Sequence, residues 1–129
     1  MHPLVAYPDA EFTVGSYLKS SLPSLVVVDE RPAALPAEFV RIERIGGARR
    51  SVVTDRPRVD VQCWSHSKES AWDLLVLVRA HILAMAGQRG TTRVYDVSEV
   101  GGPQWLPDNE SSKPRYAFAV EFSTRGKEL

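Results

Sequence analysis

Residues Arg58-Val59-Asp60-Val61-Gln62-Cys63-Trp64 alternate with period two, and a helix-length apolar run begins just after them. Val59, Val61 and Cys63 fall on one face and Asp60, Gln62 and Trp64 on the other, the pattern of a half-buried strand. Ser67 is placed to cap a helix over residues 68–86, and Gly87 to end it in the left-handed conformation. At 1.5 Å per residue that helix is about 30 Å long, and the face carrying Val59, Val61 and Cys63 should meet it. After Asp73 its only polar residues are Arg79 and His81. Its apolar arc is therefore wider than one sheet requires and predicts a second partner surface.

The remaining elements are arranged around this unit. Asp9 caps a first helix reaching about residue 22, with Phe12, Tyr17 and Leu18 on its apolar face, Gly15 weakening it and Pro23 stopping it. Residues 25–28 read as a short strand and 29–36 as an irregular, proline-restricted link. Residues 38–45 and 50–54 read as the arms of a hairpin turned by Gly46-Gly47. Two late strands follow, 91–100 and 113–124, separated by a loop over 101–112, and loops of that length are usually functional or mobile. Consecutive hairpins predict an α+β fold. It is a single domain over residues 1–129, with a mostly antiparallel or mixed sheet of about four to five strands and two helices packed on one face.

A chain of 129 residues suits one domain, and burial of about two-thirds of the unfolded surface gives it a core without staples. Its 43% apolar and 25% charged residues are globular proportions. Sixteen basic and sixteen acidic residues cancel, so no global field draws the chain to nucleic acid or anionic lipid. The first residues lack a basic and then apolar leader, and 74–86 is too short to span a bilayer, so a protein made in the cytoplasm is expected, with no membrane partner. Asn109-Glu110-Ser111 matches a glycosylation pattern and is read as coincidence.

The sequence offers little catalytic chemistry. Cys63 is the sole cysteine, so no internal disulfide and no cysteine-rich zinc site can form. Cys63 and His66 together are only half a metal site or half a nucleophile–base pair, and the strand pattern makes Cys63 a core thiol. Ser65 beside His66 is a dyad on paper alone, because neighbours in an extended chain point apart. Asp60 has no partner acid at a known spacing, and His81 reads as a structural helix residue. Neither phosphate-cradling glycine motif occurs. No catalytic, cofactor or metal residue is expected.

The charge distribution carries more information. Residues 41–58 hold Arg41, Arg44, Arg49, Arg50, Arg56 and Arg58 against only Glu43 and Asp55. Residues 96–110 hold Asp96, Glu99, Asp108 and Glu110 with no base. A phosphate-contacting hairpin is one reading, although no aromatics are interleaved for base stacking. An ordinary solvated hairpin is the second. The third is head-to-tail association, in which one subunit's Arg-rich hairpin meets the next subunit's acidic loop. An outward-facing Trp64 beside Asp60 supports the third reading. Trp105 either anchors such a contact or folds back on its own sheet.

The run Arg56-Pro57-Arg58-Val59-Asp60-Val61-Gln62-Cys63-Trp64-Ser65, its polar cap and Ala71-Trp72-Asp73-Leu74-Leu75-Val76-Leu77-Val78-Arg79 resemble the tail terminator, or tail-completion, proteins of long-tailed bacteriophages. The layout is similar from about Asp9 to Thr124. The resemblance implies a non-enzymatic subunit of a ring, commonly a hexamer, that caps the finished tail tube in the neck region of the virion. Its implied partners are other copies of itself, the tail tube protein and a head connector or head-closure protein, with DNA only passing through the lumen. It brings no catalytic or cofactor motif. The alternatives are another neck component, such as a head-closure or adaptor protein, a small nucleic-acid-binding domain, and a cysteine-dependent hydrolase.

Overall fold

The structure, a computed structural model, describes residues 3–30, 32–34 and 36–129. Met1 and His2, and Arg31 and Leu35 of the proline-restricted link, lie outside the described residues. The elements run β1 (Val5–Ala6), α1 (Ala10–Ser21), β2 (Val27–Val28), β3 (Phe39–Gly46), β4 (Thr54–Asp55), β5 (Arg58–Trp64), α2 (Lys68–Leu83), β6 (Gly87–Arg89), β7 (Thr92–Trp105), β8 (Arg115–Arg125) and β9 (Lys127–Glu128). β1 and β9 form a small antiparallel pair. The main sheet has seven strands in the order β2-β3-β5-β8-β7-β6, with β4 also on β8. β2 runs parallel to β3, so the sheet is mixed. The α+β class stands, and the expected four to five strands become seven. No described helix is long and apolar enough to cross a membrane.

The hairpin is wider than a Gly-Gly turn predicts. β3 pairs with β5, setting Val40 against Cys63 and Ile42 against Val61. This register unites two apolar faces, whereas residues 50–54 offer only the adjacent Val52 and Val53, which in a strand would fall on opposite faces. Thr54 and Asp55 pair instead with Arg125 and Thr124 of β8. Gly47 serves close approach: its φ is +84°, and a Cβ there would lie 2.2 Å from the carbonyl oxygen of Arg56.

β7 continues through Gly101-Gly102-Pro103-Gln104 to Trp105, a stretch expected to be loop. Its pairing with β8 slips three times, between Tyr95 and Ser98, Glu99 and Gly101, and Gly101 and Gln104. Such irregularities tolerate a proline and two glycines inside a strand. The true loop is 106–114, closed by Leu106 N–H to the Arg115 carbonyl and Asp108 N–H to the Lys113 carbonyl, both 3.0 Å.

Both helices contribute to one core. Val14 and Leu18 of α1 and Leu74, Leu75, Val78 and Ile82 of α2 join the inward residues of β3, β5 and β8, among them Ile42, Val61, Cys63 and Phe118. Asp9 caps α1 by accepting from the Phe12 N–H, but Phe12 itself points outward and is 72% exposed. Ser67 and Ser70 form a reciprocal capping box at the start of α2. α2 stops at Leu83, short of the expected residue 86, and the Arg89 guanidinium donates to the carbonyls of Met85 and Ala86 just beyond it. Gly87, with φ +128°, opens β6 and does not sit in a left-handed helix cap.

Candidate functional site

No described group of three or more His, Cys, Asp or Glu side chains is placed to hold a metal. Cys63 is fully buried, and burial first, then the charges of Glu38 and Asp60, push its thiol well above the ordinary thiol range. A thiol held neutral in this way is a poor nucleophile. Ser65 Oγ lies 3.4 Å from His66 Nδ1, closer than strand alternation predicts. Ser65 is buried, however; its hydroxyl donates to Glu38 Oε2 and accepts from Ser70 Oγ, which ties it to the helix cap. A groove of about 480 Å³ runs between α1 and the β6–β7 turn, lined by Phe12, Ser16, Tyr17, Arg89 and Thr91 among others. Its two charged side chains, Asp9 and Arg89, are already engaged, Asp9 at the cap of α1 and Arg89 on the carbonyls that follow α2.

The basic and acidic stretches pair largely within one chain. Arg41 meets Glu43 at 2.8 Å, and Arg44 meets Asp55 at 3.0 Å while also donating to the Gly46 and Gly47 carbonyls. Arg56 is buried, donating to Ser123 Oγ at 2.8 Å and lying 3.3 Å from Asp96 and 3.4 Å from Glu121. Arg58 shares Glu121 at 3.1 Å. Arg79 of α2 makes two hydrogen bonds to Glu99, which raise its pKa further. The contact between Arg56 and Asp96 thus joins the two stretches inside a single subunit.

Trp64 corrects the expectation of an outward-facing indole. It does sit on the face opposite the helices, but it is 1% exposed: Phe39 stacks on it at 4.4 Å, and its Nε1–H donates to Asp108 Oδ2 at 3.0 Å. The Arg115 guanidinium lies over the ring at 5.2 Å. Asp108 is buried and organises its loop, accepting also from Ser111 Oγ and the Glu110 N–H. Glu110 remains on the surface. Asp60 accepts from Gln62 Nε2 at 2.7 Å. Trp105 is half-buried, packed on Tyr116 at 5.0 Å beneath the Lys68 ammonium, which matches the fold-back reading.

Of the basic stretch, Arg49 and Arg50 are exposed, and neither makes an ion pair or side-chain hydrogen bond among the described residues. Arg125 and Lys127 lie at the same end of the molecule and are also exposed, without an ion pair among the described residues. Sequence reasoning missed these two because only the register of β8 on β4 sets Arg125 opposite Thr54, and only that of β9 on β1 sets Lys127 opposite Ala6. The wide arc of α2 does leave an outer face, on which Trp72, Val76 and Leu77 are 41%, 48% and 46% exposed. Glu69 and Asp73 flank that face, exposed and without an ion pair among the described residues.

A family model described as "Phage tail termination protein" matches residues 6–128, from the end of β1 to the end of β9. A search of curated proteins found no match.

Proposed function

Because the chain belongs to the phage tail termination protein family, whose members are structural tail proteins, we propose that copies of it close into a ring, a hexamer in the leading reading, that seats on the last layer of the tail tube. The mechanism is steric: one face of the ring matches the tube, and the other offers no surface on which a further tube layer can add. That second face receives the head connector or a head-closure protein, and DNA passes through the lumen without being read.

The observation that carries this reading is the extent of the family match, which takes in both helices and every strand of the main sheet. Two features support it. The outer face of α2 is apolar and uncovered, as expected of a surface built for a partner. The nucleophile candidates, Cys63 and Ser65, are buried in the core and the helix cap, where a reactant has no access.

The test is growth of tail tubes from the purified tube protein, with and without this chain, followed by negative-stain microscopy. The reading predicts shorter tubes, each closed at one end by a ring. An unchanged length distribution with bare ends contradicts it.

A further inference from the structure

The 47–53 loop is a fixed prong. The Arg50 and Ser51 N–H groups donate to the Thr54 carbonyl, the Tyr7 hydroxyl to the Val52 carbonyl at 2.6 Å, and the Gly126 N–H to the Val53 carbonyl at 2.7 Å. At its tip, Arg49 and Arg50 are exposed, and beside them Val52 and Val53 are 37% and 38% exposed. The tip therefore offers two cations unpaired among the described residues and two apolar side chains on a backbone already held in place, so ordering it costs little on binding.

The first half of α2 has the complementary composition, with the acids Glu69 and Asp73 beside Trp72, Val76 and Leu77. Within one subunit the prong and the start of α2 lie at opposite ends of β5. The prong precedes Arg58 at one end of β5, and α2 begins just beyond Trp64 at the other, where Trp72 packs on Tyr116. Seven strand residues at about 3.3 Å each put about 20 Å between the prong and the start of α2, where Glu69 and Asp73 lie. Each subunit thus carries one copy of each half of a matched pair.

We propose that the prong of one subunit docks on the N-terminal half of α2 of the next copy, with Arg49 and Arg50 against Glu69 and Asp73, and Val52 and Val53 against Trp72, Val76 and Leu77. The contact is heterologous, and it closes a ring, as the reading above requires, when its rotation divides a full turn. The proposal rests on the ring reading above and names its seam. It replaces the acidic 96–110 stretch as the prong's partner, because Asp96 and Glu99 are already paired in their own chain.

The test uses two charge-reversed variants of the full chain, Arg49→Glu/Arg50→Glu and Glu69→Lys/Asp73→Lys, in sedimentation velocity alone and mixed one to one. Each alone should associate more weakly than wild type by roughly tenfold or more. The mixture should recover, because either variant's prong fits the other's helix. A Val52→Cys/Leu77→Cys chain, oxidised, should give a ladder of linked subunits that neither single variant gives, and buried Cys63 does not compete.

Association undiminished in both variants overturns this seam and leaves the ring reading standing. A monomer at every concentration, with no ladder, also overturns the seam, and bare tube ends under the microscope then overturn the ring reading itself. Loss of duplex-DNA binding in Arg49→Glu/Arg50→Glu with association intact assigns the prong to nucleic acid and overturns the proposal.

Discussion

Arg56 and Arg49 belong to the same basic stretch, seven positions apart, and the fold puts them to opposite uses. Arg56 lies against the sheet among Ser123, Asp96 and Glu121, while Arg49 stands at the tip of a braced loop with no acid partner among the described residues. Burial makes the first a structural group: several partners compensate its desolvation, and losing it strands them. Exposure makes the second nearly irrelevant to folding and leaves its charge free for another molecule. A local count of charge cannot separate the two, since only the strand register decides which arginine faces inward.

The comparison breaks most visibly at the joint between the regions. Gly47→Ala puts a Cβ into the Arg56 carbonyl at positive φ, and the strain and clash should remove at least about 3 kcal/mol from chemical denaturation. A variant as stable as wild type means that prong and sheet are not rigidly joined.

Arg56→Met should come next, at about 3 kcal/mol, because Asp96 and Ser123 lose their cation while Glu121 keeps Arg58. A loss below about 1 kcal/mol would place Arg56 with the surface pairs.

Cys63→Ser tests the core beneath the same strand. A hydroxyl in that apolar site should cost about 2 kcal/mol. Native wild-type chain should resist thiol alkylation at mildly alkaline pH and react once unfolded. The folded-state pKa is raised, so the thiol's contribution to stability is full below the ordinary thiol range and declines as the pH climbs above it. Fast alkylation of the native chain contradicts the burial.

The smallest effect is the sharpest discriminator. Arg49→Ala/Arg50→Ala should change stability by less than about 0.5 kcal/mol while weakening self-association and flattening its salt dependence. A large stability loss would mean that the tip arginines serve their own fold.

What was legible in the sequence was what local periodicity determines. The alternation of β5, the Ser67 cap, the core place of Cys63 and the unsatisfied arc of α2 all follow from residues close together in the chain. The partner of β3, the reach of β7 through Pro103 and the company of Arg125 depend on register between distant segments, which no local pattern encodes. Trp64 shows both sides of this. Period two placed it on the face away from the helices, yet that face is covered there by Phe39 and by Asp108 from a loop more than forty residues later. The same non-locality hid the ion pairs of Arg56 and Arg79, whose acids come from other strands.

The most direct measurement is a cryo-electron-microscopy reconstruction of the capped end of a tail tube. The account predicts one closed layer of this chain, with each 47–53 prong seated on the neighbouring α2 and its arginines within ion-pair distance of Glu69 and Asp73. A layer whose prongs point into solvent, with α2 pressed on the tube instead, would contradict it.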